Sequence, residues 1–309
     1  MRWTTENIPP LDEKTIVITG ANSGLGFEAA QALAAHGAHV VLACRTMAKA
    51  QGAAEQIRTR FPNANVEPDA LDLSDLASVR SFAREFLARH TKIDVLLNNA
   101  GVMAPPYMKT TDGFELQFGT NHLGHFALTG LLFDTIAKTP NARIVTVSSV
   151  AHLIGKMRFD DPSWEHGYSK WPAYGMSKLA NLLFTYELAR RCAVAGIPVR
   201  AVAAHPGYSS TNLQIRGGEL ANAKLTAWAS RTFTPWVAQR ADRGALPELY
   251  AAVADGVEAG DFIGPDGLGE LGGYPTKVRS NARSHDGESM RRLWELSERL
   301  TGVHFGLLQ

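Results

Sequence analysis

Short apolar runs alternate with longer amphipathic stretches from Lys14 to about Pro206, and this alternation constrains the fold more than any other feature. Runs rich in Val, Ile and Leu without strict polar alternation are typical of strands buried on both faces of a parallel sheet. Strands are predicted at 15–19, 39–44, 93–98, 143–149 and 199–205, with a weaker run at 65–73. Helices are predicted between them, near 25–36, 46–60, 75–90, 114–138 and 173–195. Repeated strand–helix units predict an α/β fold with a doubly wound parallel sheet and helices on both faces.

The 309 residues could make two domains, yet no repeat, low-complexity segment or Gly/Ser-rich linker divides the chain. We therefore predict a single domain over residues 1–309. Residues 150–172 insert a long stretch before a helix, and residues 207–245 mix apolar, aromatic and polar side chains. Loops after parallel strands bind ligands, so 207–245 is predicted to form a substrate lid; a pair of ordinary surface helices is the alternative. An amphipathic pattern predicts a packing helix at 288–300.

Composition excludes several classes of protein. Hydrophobic residues make up 45% of the chain, and 31 basic residues balance 30 acidic ones, so a globular protein without a nucleic-acid or anionic-membrane surface is predicted. No apolar stretch approaches the ~18 residues of a membrane span, and the opening residues lack a secretory signal pattern. Two cysteines, Cys44 and Cys192, cannot form a disulfide framework. A reducing, cytoplasmic location is the expectation.

A glycine-rich turn follows the first predicted strand and opens the first predicted helix. Gly20, Gly24 and Gly26 stand in the spacing G-x-x-x-G-x-G. Glycines let the backbone approach a pyrophosphate closely, and a helix N-terminus offers free N–H groups and positive partial charge. A tight strand-to-helix turn without a ligand is the alternative, but the position after the first strand favours nucleotide binding.

Tyr174 and Lys178 stand at i and i+4 of a predicted helix, so both project from one face. An ammonium near a phenol is expected to lower the pKa of the tyrosine, as a general acid for a carbonyl oxygen requires. Ser148 and Ser149 end a strand, Asn98–Gly101 close the preceding strand, and Asn121 lies in a helix between them. Each feature alone has an ordinary structural explanation as a cap, a turn or a solvated residue. Together, in this order, these features form a specific pattern.

This chain resembles the short-chain dehydrogenase/reductase family. The resemblance rests on Thr19–Gly26, Asn98–Gly101, Asn121, Ser149, Tyr174–Lys178 and Pro206–Gly207. Finer matches, such as NHLGHF at 121–126 and HPG at 205–207, are similar to the retinol-dehydrogenase and protochlorophyllide-reductase-like branch. The resemblance implies a Rossmann-type domain and a nicotinamide cofactor.

The resemblance also implies roles for individual residues. Tyr174 would exchange the proton, and Lys178 would lower its pKa and hold the nicotinamide ribose. Ser149, the second serine of its pair, would hydrogen-bond the substrate oxygen, and Asn121 would hold a water of the proton relay. Asp72 matches an adenine contact, although it could equally cap the helix that follows. No metal site is expected. The implied cofactor-binding residues are Gly20, Asn22, Ser23, Gly24, Leu25, Gly26, Arg45, Asp72, Leu73, Asn99, Ala100, Gly101, Tyr174, Lys178, Pro206, Gly207 and Thr211.

The end of the second strand predicts the cofactor type. A carboxylate there selects NAD by binding the ribose hydroxyls, but this chain has Cys44 followed by Arg45. The Arg45 guanidinium can pair with a 2′-phosphate, and Lys49 can add charge, so NADP is predicted; an arginine that merely solvates a loop is the alternative. The predicted reaction interconverts a ketone or aldehyde and an alcohol, on a lipophilic small molecule, in a possible homo-oligomer. A reductase of an activated C=C bond and a non-catalytic nicotinamide sensor are the rivals.

Overall fold

The protein is described from a computed structural model, which covers residues 2–207 and 240–308. Eight strands form one sheet in the order β3-β2-β1-β4-β5-β6-β7-β8, and every neighbouring pair is parallel except β7 with β8. The strands are β1 Thr15–Thr19, β2 His39–Cys44, β3 Asn65–Ala70, β4 Val95–Asn98, β5 Arg143–Val147, β6 Arg200–Ala204, β7 Phe262–Pro265 and β8 Pro275–Lys277.

Seven longer helices cover the two faces of the sheet in the described part of the chain. They are α1 Gly24–Ala35, α2 Met47–Arg60, α3 Leu76–Arg89, α4 Gly124–Lys138, α5 Lys170–Val194, α6 Leu246–Val253 and α7 Gly287–Thr301. None of the helices in 2–207 and 240–308 is long and apolar enough to cross a membrane. The predicted doubly wound α/β fold is confirmed.

The central strands are buried on both faces, as their apolar composition predicts. In β1, Ile16 and Ile18 join the hydrophobic cluster that includes α1, α2 and α6, while Val17 joins the cluster under α3, α4 and α5. Side chains that alternate across a strand thus fill two separate cores. On the second face, Trp294 of α7 stacks on Phe184 of α5, which anchors the C-terminal helix.

Differences from the sequence prediction lie at element ends and in short elements. The predicted strand 143–149 ends at Val147, and the weaker run 65–73 ends at Ala70. The helix predicted at 114–138 has three parts: Leu116–Phe118, a π-helical turn at Gly119–Leu123 and α4. Strands β7 and β8 were not predicted, because β7 is four residues containing Gly and Pro and β8 is three mostly exposed residues. Helix α6 was not predicted either. Of the predicted lid, residues 208–239 lie outside the described chain.

Candidate active site

The chemical side chains gather at the carboxyl ends of β1, β4 and β5. These three strands are neighbours, and the strand order reverses between β1 and β4. In open parallel sheets such a reversal opens a crevice at the carboxyl ends, where ligands bind. The glycine turn follows β1, Asn98–Gly101 follow β4, and Ser148–Ser149 follow β5. The fold therefore brings together segments that are far apart in the sequence.

Ser149 and Tyr174 form the centre of the site. Ser149 begins a 3₁₀ turn, Val150–Ile154, where its Oγ accepts a hydrogen bond from Ala151 N at 3.2 Å. The Ser149 hydroxyl lies close enough to the phenol of Tyr174, which projects from α5, to act on its pKa. The neighbouring Ser148 points elsewhere, since its hydroxyl donates to the carbonyl of Lys178 at 2.8 Å. The geometry supports the choice of Ser149 over Ser148.

Lys178 lies one turn beyond Tyr174 on the same face of α5. Its Nζ donates to Val147 O at 3.0 Å and stands 5.8 Å from the centroid of the Tyr174 ring. Asn181 Nδ2 donates to the same carbonyl at 3.1 Å. The last carbonyl of β5 thus fixes the lysine ammonium beneath the phenol.

The pKa of Tyr174 differs from the sequence expectation. Burial raises it to about 12, although the nearby Ser149 hydroxyl acts to lower it. The expected lowering by Lys178 is wrong for this structure, because the phenol is only 6% exposed and its anion loses hydration. Burial also lowers the pKa of Lys178, to about 8, which weakens the positive charge that was expected to act on the phenol.

Asn121 lies in the π-helical turn before α4 and holds the strand-end loop. Its Oδ1 accepts from Val102 N at 2.8 Å, and its Nδ2 donates to Val102 O at 2.9 Å and to Ser177 Oγ at 3.0 Å. The amide therefore pins Val102, next to Gly101, against α5. A π-helical turn often occurs where a helix adapts to a functional site. The expected water of a proton relay stays a prediction.

The glycine turn has the shape of a phosphate cradle. Gly20 has a φ of +70°, which L side chains rarely adopt. A Cβ on Gly26 would overlap the Asn99 amide nitrogen and come within 2.8 Å of Gly20 O. Ser23 is the N-cap of α1, yet its side chain makes no capping hydrogen bond, so the first N–H groups of the helix keep their donors. Asn22, Gly24 and Leu25 complete the turn.

Thr19, which was not singled out from the sequence as a site residue, organises the loop after β4. Its Oγ1 accepts from Asn99 N at 3.0 Å and from Ala100 N at 2.9 Å, and it lies 2.9 Å from His125 Nε2. Asn99 Nδ2 in turn donates to Thr19 O at 2.7 Å. The sequence shows both residues, the threonine of the glycine motif and a histidine of the helix after β4. Their contact could not be predicted, because it forms only when the chain folds.

An exposed arginine, Arg45, follows β2 at the rim of the crevice. Arg45 and Lys49 are exposed, and Arg45 has no hydrogen bond or ion pair with the described residues. Cys44 is buried, and burial raises the pKa of its thiol to about 11, so it offers no anion for ribose hydroxyls. This arrangement leaves Arg45 available for an anionic ligand.

Asp72 and Leu73 lie in the loop between β3 and α3. Asp72 Oδ1 accepts from Ser74 N at 2.9 Å and from Ser74 Oγ at 2.6 Å. Asp75 caps α3 instead, by accepting from Ala77 N at 2.9 Å and Ser78 N at 3.4 Å. The capping alternative for Asp72 is therefore excluded. Leu73 is buried against α4 near Gly124.

Pro206 and Gly207 follow β6 on the far side of the site. Gly207 N donates to His205 Nδ1 at 3.2 Å, and His205 Nε2 lies 2.8 Å from a Glu270 carboxylate oxygen. His205 is fully buried. The partner Glu270 was missed, since 65 positions separate it from His205. The predicted Thr211 lies outside the described residues.

A sequence model of the short chain dehydrogenases matches residues 14–219. This chain belongs to the short-chain dehydrogenase family. It is 42% identical over 294 residues to mouse (Mus musculus) "Retinol dehydrogenase 12", which covers 94% of this chain and 87% of the relative, and so falls in the retinol-dehydrogenase-like branch. Among solved structures, an uncharacterized protein from Mycobacterium paratuberculosis is 45% identical, covers 99% of both chains and has a TM-score of 0.80.

A third relative bears on the cofactor. It is described as an NAD(P)-dependent gluconate 5-dehydrogenase from Beutenbergia cavernae with bound NADP; it is 25% identical, covers 82% of this chain and 94% of that one, and has a TM-score of 0.63. The fold of this short-chain dehydrogenase implies a nicotinamide cofactor. The residues present fit one, since the turn admits no side chain at Gly26 and the N-cap side chain leaves the first N–H groups of α1 uncapped. The chain is an oxidoreductase of the alcohol/carbonyl class.

Proposed function

We propose that this short-chain dehydrogenase is an NADP(H)-dependent enzyme that interconverts a ketone or aldehyde and an alcohol, with Tyr174 as general acid and base. The observation that carries the proposal is the neighbouring Ser149 and Tyr174 hydroxyls at the carboxyl end of β5, with the Lys178 amine fixed beside them. A carbonyl oxygen placed between the two hydroxyls would receive a hydrogen bond from one and a proton from the other.

The residues of this chain supply the proton side of the reaction. When bound, the nicotinamide supplies or accepts the hydride. The pKa of Tyr174, raised to about 12, keeps its phenol protonated at neutral pH, which suits donation to a carbonyl oxygen during reduction. Ser149 orients that oxygen through its hydroxyl. The Lys178 amine, held by the carbonyl of Val147, stands 5.8 Å from the centroid of the Tyr174 ring.

The choice of NADP rests on Arg45. An arginine guanidinium forms paired hydrogen bonds with a phosphate, and this one is exposed at the end of β2 with no partner among the described residues. The glycine turn, Asn99–Gly101 and Asp72 would hold the rest of the dinucleotide, and Pro206–Gly207 would border the nicotinamide. Lys49, one helical turn away, adds a second positive charge near the same edge.

A lipophilic substrate is supported by apolar side chains beside Tyr174. The Trp171 ring stands edge-on to the Tyr174 ring with centroids 6.4 Å apart, and Trp171 is 49% exposed. Leu153 and Ile154, in the turn that begins at Ser149, are more than half exposed. The similar mouse protein is named for retinol, a lipophilic alcohol. A cytoplasmic location and a homo-oligomer stay predictions.

The test is turnover with NADPH over aromatic and long-chain ketones, aldehydes, small hydroxy-ketones and quinones, read by cofactor oxidation and product identity. Tyr174→Phe should lower kcat by about 10²–10⁴-fold while unfolding and NADPH binding stay unchanged. Tyr186→Phe is the matched control, because Tyr186 is a buried tyrosine of the same helix whose hydroxyl lies 2.8 Å from the hydroxyl of a serine, Ser280.

Three outcomes would contradict the proposal. Near-normal turnover in Tyr174→Phe would show that Tyr174 is not the general acid. Products reduced at a C=C bond would assign a different reaction to the same scaffold. NADPH binding without turnover on any carbonyl of the panel would favour a sensor.

A further inference from the structure

Two histidines and a glutamate meet on the sheet face covered by α3, away from the catalytic crevice. His39 is the first residue of β2, Glu67 lies in the edge strand β3, and His90 directly follows α3. Glu67 pairs with Val41 across the parallel ladder, so Glu67 and His39 share one face of the sheet. Within 2–207 and 240–308, this is the one group of three or more His, Cys, Asp or Glu side chains that could hold a metal ion.

The three ligand atoms have the spacing of a coordination sphere. His39 Nε2 and His90 Nε2 each lie 3.1 Å from the same carboxylate oxygen, Glu67 Oε2, and all three atoms lie within 4.8 Å of one another. A tetrahedral Zn²⁺ with bonds of about 2.0–2.1 Å to nitrogen and oxygen separates its ligand atoms by about 3.3 Å. The cluster needs only small side-chain movements to reach that geometry.

The surroundings orient the carboxylate toward the two imidazoles. Arg89 pairs with the other oxygen, Glu67 Oε1, at 3.2 Å and also with Asp69, which leaves Oε2 facing the histidines. The His90 ring is packed against Phe86 with centroids 4.5 Å apart, which fixes its position. Outer contacts that fix the orientation of a ligand are a regular feature of metal sites.

We propose that His39, Glu67 and His90 bind one Zn²⁺-class divalent cation, with water as the remaining ligand. Two imidazoles and one carboxylate suit zinc, and three protein ligands leave a coordination position open. The ion would clamp β2, the edge strand β3 and the end of α3 together. The sequence predicts no metal site, and it gives no signal for this one, because 23 positions separate even Glu67 from His90.

The experiment uses the full chain without an affinity tag, treated with a chelator and then dialysed. Zn²⁺ alone is added in a calorimetric titration, and Co²⁺ alone is added in a titration followed by visible absorption. One ion per chain should bind, with a tetrahedral cobalt spectrum, and Zn²⁺ should raise the Tm. His39→Gln and His90→Gln should weaken Zn²⁺ binding by at least about tenfold and leave turnover with NADPH unchanged.

His304→Gln is the matched control, because His304 also faces a glutamate, Glu298 at 3.5 Å, but without a second histidine. Its affinity for Zn²⁺ should equal that of the wild type. If a histidine variant fails to fold, Glu67→Gln, which keeps the shape of the side chain, decides the matter by its own loss of affinity. The proposal is overturned if the wild type shows no saturable binding, or if the three cluster variants bind Zn²⁺ as tightly as the wild type does.

Discussion

Gly26→Ala tests whether the cradle beneath the glycine turn is as closed as the structure shows. The new Cβ would overlap Asn99 Nδ2 and would come within 2.8 Å of Gly20 O and 3.2 Å of Ala21 Cα. Two of these neighbours are backbone atoms that cannot rotate away. The third, Asn99, is held by its 2.7 Å hydrogen bond to Thr19 O, so movement of its side chain breaks one of the hydrogen bonds that join the ends of β1 and β4.

The expected cost follows from these contacts. Overpacking a tight site costs about 1–3 kcal/mol, and loss of the Asn99 hydrogen bond adds about 0.5–1.5 kcal/mol. Alanine regains up to about 1 kcal/mol of helix propensity, since Gly26 is the third residue of α1. The free energy of unfolding should therefore fall by about 1–3 kcal/mol. NADPH affinity should fall as well, by at least about tenfold, because the methyl group displaces the turn that would hold the phosphates.

Gly52→Ala is the control. Gly52 lies inside α2, and a Cβ there meets nothing within 4 Å. The same substitution should raise the free energy of unfolding by up to about 1 kcal/mol and leave NADPH affinity unchanged. Urea unfolding and fluorescence titration with NADPH measure both quantities. Equal stability and equal affinity in Gly26→Ala and the wild type would refute the closed cradle.

Three further substitutions probe the site. Ser149→Ala should lower kcat by about 10-fold or more through loss of the hydrogen bond to the substrate oxygen, whereas Ser148→Ala should mainly lower stability; equal effects on kcat would count against the choice of serine. Arg45→Asp should weaken NADPH much more than NADH, whereas Arg84→Asp, on an exposed helix face, should change neither; a wild type that uses NADH equally well would contradict the prediction. Burial lowers the pKa of Lys178 from 10.5 to about 8, so the unfolded chain binds more protons between those values and stability should rise with pH across that window. Urea unfolding at about pH 8 and about pH 10 should show this rise in the wild type and its loss in Lys178→Met, and an unchanged rise in the variant would contradict the assignment.

The sequence predicts the central strands well because residues of a different chemical type mark where each strand ends. β1 and β2 occupy the predicted residues 15–19 and 39–44, since each apolar run stops at a glycine turn or a charged residue. Candidate site residues that are close in sequence, such as Tyr174 and Lys178, are also predictable, because a helix fixes their relative positions. β7 and β8 are not, because four and three residues carry too little periodic pattern to distinguish a strand from a loop.

Contacts between distant segments lie beyond the sequence for a different reason. His205 and Glu270 meet only because β6 and β7 are neighbours, and His39 meets His90 only because α3 returns across the face of β2 and β3. Nothing local distinguishes these histidines from surface ones. Pairing of this kind depends on the register of the sheet and the angle of a helix, which cannot be read from one amino-acid sequence.

The pKa of Tyr174 could not be predicted from the sequence either. Spacing places Tyr174 and Lys178 on one helix face, and from that spacing alone an ammonium should stabilise a phenolate. Burial reverses the expectation, because it disfavours both charged forms: the pKa of the phenol rises to about 12 and that of the amine falls to about 8. At neutral pH the side chains of the site therefore hold a protonated phenol, which is ready to donate a proton in reduction.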